Sequence, residues 1–261
     1  MCLERVTSRD GTPIAWWRSG EGPPLVLVHG TSADHSRWAP VLPALEQHHT
    51  VCAIDRRGRG ASGDATDYAL EREFEDLAAV VDALGEPATL LGHSYGGLCA
   101  LEATLLSRNV RALVLYEPAI GMAAARPEVI ERLETLLRAE DRDGVVATMG
   151  REVAGVPPEV VAATRSLPVW QARMAAAHTI PRELRATEAY RFDAERFREL
   201  PVPTLVLRGD ASPADYRTAV EAVDEALPDS RIVVMPGQGH VAMDTGTDLF
   251  TAEVLRFTAG A

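Results

Sequence analysis

Ser94 is the residue best placed to do chemistry, because its neighbours put it on a sharp turn. It stands in Gly92-His93-Ser94-Tyr95-Gly96. Ahead of it, Ala88-Thr89-Leu90-Leu91 is a short apolar run that predicts a buried strand. Behind it, Gly97 to Ala103 has helical composition. A serine on a strand-to-helix turn has strained backbone angles, so the positions two before and two after it must be small. Both are glycine. The strain holds the hydroxyl clear of the sheet edge and aims the helix N-terminus at it. G-x-S-x-G alone is a weak pattern; between a strand and a helix it predicts a nucleophile elbow.

A serine hydroxyl is unreactive at neutral pH unless a base, usually an imidazole, lies within hydrogen-bond reach. Seven histidines are available, at 29, 35, 48, 49, 93, 178 and 240. His240 is the best candidate. It closes Gly237-Gln238-Gly239-His240, directly after the last predicted strand and on the same carboxyl edge as the elbow, where ligands gather in open parallel sheets. His48 and His49 fall at a predicted helix end, which suits capping or solvation, and His178 reads as a surface residue of a helical segment.

Attack on an ester carbonyl also requires two backbone donors for the oxyanion. Tyr95, next to Ser94, offers one N–H. His29-Gly30-Thr31-Ser32 follows an apolar strand and offers the other, from Thr31. His29 itself reads as an organiser of that loop. Asp55 to Ser62 also follows a strand and is rich in glycine, which suggests a phosphate cradle. It lacks both G-x-x-x-x-G-K-[ST] and G-x-G-x-x-G, so a structural loop bracing the active-site edge is the better reading.

These residues need a scaffold that brings them together. Leu3–Thr7 and Pro13–Arg18, joined by an Asp10-Gly11 turn, predict an antiparallel hairpin. Pro24–His29, Thr50–Asp55, Ala88–Leu91, Arg111–Tyr116, Thr204–Leu207 and Ile232–Met235 predict further strands. Helical spacing appears in Arg37–Gln47, Leu70–Leu84, Ala214–Leu227 and Leu249–Phe257. Strands alternating with helices imply a mainly parallel sheet covered on both faces. Between Pro118 and about Leu200 the strands vanish, and Pro127, Pro157, Pro158, Pro168 and Pro181 divide the segment into short helices.

Composition narrows the function. The 261-residue chain is 46% hydrophobic and 25% charged, as in a globular protein, with a net charge of −12. That charge, without a block of lysine and arginine, disfavours nucleic acid and anionic membranes as partners. Three scattered cysteines suggest neither a disulfide framework nor a zinc site. The N-terminus shows no basic start followed by an apolar stretch, and no run approaches the roughly 18 apolar residues of a membrane span. The expectation is a cytoplasmic protein acting on a small molecule, as a monomer or homodimer.

His29-Gly30, the Asp55–Ser62 loop, the Gly92–Gly96 elbow and Gly239-His240 occur in an order and spacing that resemble the α/β-hydrolase superfamily. The resemblance covers essentially the whole chain. It implies an eight-stranded, mostly parallel sheet built from residues 1–118 and 201–261. Residues 119–200 take the place of the variable helical cap, inserted after the sixth strand. It also implies serine hydrolysis without metal or organic cofactor.

The acid departs from the common pattern, which is like G-x-x-D. In Gly209-Asp210-Ala211-Ser212-Pro213, Ser212 stands where aspartate is expected. Asp210 lies two residues too early. Glu117, after the Arg111–Tyr116 strand, is the preferred candidate; Tyr116-Glu117-Pro118 resembles the place from which some haloalkane dehalogenases supply their acid. Serine at the elbow favours acyl transfer, whereas the related dehalogenases and epoxide hydrolases use aspartate there.

The expected enzyme is therefore a carboxylic ester hydrolase with Ser94, His240 and Glu117 as its triad and Thr31 and Tyr95 as oxyanion donors. Trp38, Met122, Met149, Trp170 and Met174 are candidates for an apolar pocket lining, each equally consistent with plain core packing. Two alternatives stay open. One is carbon–carbon bond hydrolysis, or a biosynthetic lyase or cyclase, in the same pocket. The other is a silent ligand-binding homologue.

Overall fold

The computed structural model describes residues 1–121 and 125–260. Eight strands form one sheet: β1 (Cys2–Thr7), β2 (Pro13–Ser19), β3 (Pro24–Val28), β4 (Thr50–Asp55), β5 (Ala88–His93), β6 (Val110–Tyr116), β7 (Thr204–Gly209) and β8 (Ser230–Met235). Their order across the sheet is β1-β2-β4-β3-β5-β6-β7-β8. β2 pairs antiparallel with β1 and with β4, and every other neighbouring pair is parallel.

Period-two burial explains why these segments are strands covered on both faces. In β3, Val26 and Val28 join one core while Leu25 and Leu27 join the other. β4 divides in the same way, with Cys52 and Ile54 on the first face and Val51 and Ala53 on the second. Three helices of the N-terminal half follow: α1 (Leu42–Leu45), α2 (Leu70–Ala83) and α3 (Tyr95–Ala103). Leu77, Val80 and Val81 of α2 and Leu98 and Leu101 of α3 pack on the first face, and Leu45 of α1 on the second. Each fully buried leucine, valine or phenylalanine contributes about 1.5–3 kcal/mol relative to exposure.

The helical spacing of Arg37–Gln47 does not yield one helix. A 3₁₀ turn over His35–Trp38 and the short α1 replace it. Pro40 and Pro43 lack the N–H groups a continuous helix needs.

Between β6 and β7 the chain leaves the sheet and forms α4 (Pro127–Arg138), α5 (Arg142–Thr148), α6 (Pro158–Thr164), α7 (Pro168–Ala175) and α8 (Thr179–Ala189). Four of these helices carry proline in their first turn, where its missing N–H costs nothing. They enclose a third core of their own, including Val129, Ile130, Leu133, Val145, Trp170 and Ile180. The chain then returns through β7, α9 (Ala214–Ala226), β8, α10 (Ala242–Thr245) and α11 (Thr247–Thr258). Among the described residues no helix is long and apolar enough to cross a membrane.

The strand order positions the candidate residues. β3 lies between β4 and β5, so the loop after β3 emerges beside the turn after β5. Registers such as Val28 opposite Gly92, His93 opposite Tyr116 and Tyr116 opposite Leu207 bring these carboxyl ends to one edge.

Candidate active site

Ser94 has φ 55° and ψ −123°, a conformation that costs a non-glycine residue about 1–3 kcal/mol. Neighbouring hydrogen bonds hold it there. Its N–H donates to Tyr116 O at 3.0 Å, and its carbonyl accepts from Gly97 N at 2.8 Å and Ala119 N at 3.0 Å. The two flanking glycines are required by space. A Cβ on Gly92 would lie 2.5 Å from Gly96 O, and one on Gly96 would lie 2.4 Å from the carbonyls of Val28 and His29. The β3 strand end therefore presses directly on the turn that carries Ser94.

His240 Nδ1 lies 2.7 Å from Glu117 Oε2, and Glu117 is fully buried. The other oxygen of the same carboxylate accepts from Gly209 N at 2.8 Å, so both oxygens are occupied. The anchor of Glu117 in turn is its own N–H, which donates to Leu207 O at 3.1 Å. Asp210 makes no hydrogen bond to the imidazole among the described residues: its exposed Oδ1 accepts from Gly237 N at 2.7 Å. His240 Nε2 makes no hydrogen bond among the described residues.

Three residues that the sequence did not single out hold His240 in place. His93 Nε2 donates to His240 O at 2.8 Å, and the two rings lie 4.5 Å apart. Burial, with His240 and Arg37 nearby, pushes the His93 imidazole well below its usual pKa, so it serves as a neutral donor. Tyr116 donates its hydroxyl proton to Gly239 O and accepts from Ala242 N at 3.0 Å, bracketing His240 on both sides. Tyr216 of α9 stacks on the His240 ring at 4.5 Å. His93 was visible as the second residue of the elbow, but its partner lies 147 residues away.

The loop after β3 is braced from below. Gly30 packs so tightly on the elbow that a Cβ there would sit 3.0 Å from Ser94 Cβ. His29 is fully buried, with Nδ1 2.8 Å from Gly30 O and Nε2 accepting from Arg56 N at 3.3 Å. Burial first, then the charges of Arg56 and Arg59, hold its pKa far down, so it is a neutral linker. Arg56 donates from Nε to His29 O at 3.0 Å and from a terminal nitrogen to Gly30 O at 3.3 Å. Thr31 follows Gly30, which packs on Ser94, and Tyr95 follows Ser94 itself, on two braced segments. The Tyr95 ring lies under the Arg56 guanidinium at 4.8 Å, and its hydroxyl meets that of Tyr68 at 2.5 Å.

Residues 55–62 are the brace. The buried Asp55 carboxylate accepts from His35 Nδ1 at 2.7 Å, Trp17 Nε1 at 3.1 Å and Ala61 N at 3.0 Å. Gly60 has φ +51°, and a Cβ there would lie 2.2 Å from Asp55 Oδ2. The helical insertion is tied to this loop by buried charge. Glu183 of α8 binds Arg56 at 2.8 Å and also contacts Arg59, while Glu73 binds Arg56 at 3.0 Å. Burial raises the Glu183 pKa, but the two arginines outweigh it and keep the group ionised. Asp64 adds a rim contact to Arg182 at 2.9 Å and to His178 at 3.1 Å.

The structure places four of the five candidate pocket-lining residues in or against packed cores. Trp38 is fully buried in the second core beside Leu25, Leu27 and Val41. Trp170 is 2% exposed inside the insertion's own core, with Nε1 donating to Asp143 at 2.9 Å. Met149 and Met174 pack against that same core. Trp38 and Trp170 are buried there because aromatic side chains bury their area wherever helices meet, while Met149 and Met174 stay half-buried at the edge. Met122 lies outside the described residues. A cavity of about 1190 Å³ is lined by Tyr68, Phe74, Glu102 and Tyr190 among others, and Ser94 and His240 are not part of its lining. Among the described residues no group of three or more histidine, cysteine, aspartate or glutamate side chains is placed to hold a metal ion.

Comparison with known proteins agrees with the architecture. An α/β hydrolase from Sphaerobacter thermophilus DSM 20745 superposes with a TM-score of 0.81 at 37% identity, over 95% of this chain and 99% of that one. An esterase from Rhodococcus sp. ECU1013 gives a TM-score of 0.78 at 27% identity, over 99% of both chains. The chain is also 27% identical to 2-hydroxy-6-oxo-6-(2'-aminophenyl)hexa-2,4-dienoic acid hydrolase of Metapseudomonas resinovorans, covering 98% of this chain and 90% of that protein. The model of the alpha/beta hydrolase family matches residues 25–253. With the sheet order, the strained serine turn and this match over most of its length, the chain belongs to the alpha/beta hydrolase family.

Proposed function

We propose that this hydrolase cleaves a small to medium carboxylic ester through an acyl-enzyme on Ser94. The observation that carries the reading is the His240–Glu117 contact of 2.7 Å beside the strained turn of Ser94. Ser94 Oγ attacks the carbonyl carbon while His240 Nε2 takes its proton. Glu117, hydrogen-bonded to Nδ1, holds the tautomer and stabilises the imidazolium that forms. The N–H groups of Thr31 and Tyr95 receive the oxyanion, each such donor being worth roughly 3 kcal/mol in the transition state. His240 then returns the proton to the leaving alcohol. Water, activated by the same imidazole, releases the acid and restores Ser94.

The similarity to the Rhodococcus esterase supports the ester reading. A second reading, hydrolysis of a carbon–carbon bond next to a ketone, is supported by the equally similar dienoic acid hydrolase. Both reactions use a serine, a base and an oxyanion site, so the bond cleaved is decided by substrate. Steady-state assays with p-nitrophenyl acetate and butyrate, beside a 2-hydroxy-6-oxo-dienoate, separate them. Ester turnover that disappears in Ser94→Ala supports the first reading. Turnover of the dienoate alone transfers the assignment to the second.

A further inference from the structure

Arg173 of α7 is, among the described residues, a cation without a hydrogen-bonded partner. Its guanidinium makes no hydrogen bond or ion pair among the described residues, and its Nε is enclosed with no partner. Its charged neighbours are Arg37, Asp244 and Asp34. Asp244 is engaged through both oxygens and Asp34 through one. Asp244 faces Arg37 through both oxygens at 2.8 Å. Asp34 Oδ1 caps the 3₁₀ turn, accepting from Ser36 N at 2.9 Å and Ser36 Oγ at 2.5 Å.

The location is the border of the candidate active site. Arg37 sits on the turn just after the Gly30–Ser32 loop, and Asp244 in α10 just after His240. Arg37 is within electrostatic reach of His93 and Tyr116, the two residues that hold the His240 segment. α7 lies across the same edge. Ala172, Ala175 and Ala176 share with Asp34, Arg59 and Gly60 a cavity of about 250 Å³. Burial, together with Arg37, lowers the Arg173 pKa and outweighs the opposing pull of Asp244 and Asp34.

We propose that Arg173, seconded by Arg37, is an anion subsite, and that the substrate carries a carboxylate seated there while its scissile carbonyl faces Ser94. The proposal rests on the acyl-enzyme reading for its second half alone. An arginine fork matches a carboxylate with two parallel hydrogen bonds, and a partly buried guanidinium with no protein acceptor has that capacity unspent. A neutral ester of the same size gains nothing from it.

Binding is tested apart from turnover. Monomethyl succinate, an anion, and dimethyl succinate, its neutral counterpart, are titrated calorimetrically into the Ser94→Ala protein. The monoester is expected to bind roughly 10- to 100-fold more tightly, as for a hydrogen bond to a charged group. The preference disappears when Arg173→Gln is added and survives in part with Arg173→Lys, which keeps the charge. Thermal unfolding of each variant confirms that it is folded. Equal affinity for the two esters, or a preference that survives Arg173→Gln, overturns the subsite. Turnover of the same esters by the native protein is the separate reading of the reaction. Preference without turnover retains the subsite and removes the acyl-enzyme chemistry, and turnover without preference does the reverse.

Discussion

Glu117 Oε2 and His240 Nδ1 meet at 2.7 Å although 123 residues separate them in the chain. The sheet produces this meeting. Glu117 leaves the end of β6, one strand from the Gly209 end of β7, and Gly209 N–H holds the second carboxylate oxygen at 2.8 Å. His240 arrives from the loop after β8, pinned by His93 and Tyr116. The carboxylate is thus fixed before it touches the imidazole, and it is fully buried.

Glu117→Gln replaces the acceptor facing Nδ1 by a group that can present N–H instead. Turnover is expected to fall by about 10³- to 10⁴-fold with the fold intact, as for the corresponding change in a serine protease. Asp210→Asn should cost less than about threefold, since surface changes of this kind are worth a few tenths of a kcal/mol. Steady-state kinetics of the two variants decide the matter; the reverse ranking would give the acid role to Asp210.

Arg56 links the loop after β3 to the helical insertion, with 1% of its side chain exposed. Arg56→Met leaves Glu73 and Glu183 buried without their shared cation. Breaking such a pair costs about 3–5 kcal/mol. Urea unfolding should show a loss of that size, and a loss under about 1 kcal/mol would mean that water or rearrangement replaces the arginine.

Asp64 joins α8 to the brace loop. Burial raises its pKa, but hydrogen bonds from His178 and Arg182 outweigh this and hold the carboxyl well below its usual value. A depressed carboxylate adds stability that is complete above the unfolded-state pKa, near 3.8, and fades as the pH falls through and below it. The native protein should therefore lose more stability than Asp64→Asn between pH 5 and about 2.5. Parallel melting curves across that range would show that the contact carries no linkage.

Gly96→Ala would force a methyl group to within 2.4 Å of the Val28 and His29 carbonyls. The turn bearing Ser94 must then shift against the loop after β3. A displacement of about 1 Å costs roughly 100-fold in rate. Turnover should fall by that order while circular dichroism stays native, and unimpaired turnover would show that the packing is slack.

Much of the scaffold was legible because local rules and tertiary packing agree. Thr50–Asp55 reads as a doubly buried strand and is β4, and the stripe from Leu70 gives α2. Gly92 and Gly96 are legible because only small residues fit the turn. Arg37–Gln47 misled, since its apolar spacing is helical while Pro40 and Pro43 interrupt the backbone bonds. Trp38 and Trp170 have the composition of either a pocket lining or a core, and only packing, which places both in cores, distinguishes the two. Arg56, Arg57 and Arg59 read as part of a loop, yet all three are buried against acids from Asp10, Glu73, Asp76 and Glu183. Long-range partners of this kind leave no local pattern. His93 and Tyr216 were missed for the same reason.

The central claim is that Ser94 becomes acylated. Intact-mass spectrometry of the native protein with a fluorophosphonate, and with a slowly hydrolysed p-nitrophenyl ester, tests it most directly. A single adduct on the peptide containing Ser94, absent from Ser94→Ala, is the predicted result, together with a loss of turnover approaching the roughly 10⁶-fold of a serine protease without its nucleophile. An adduct elsewhere, or undiminished turnover by Ser94→Ala, would contradict the account.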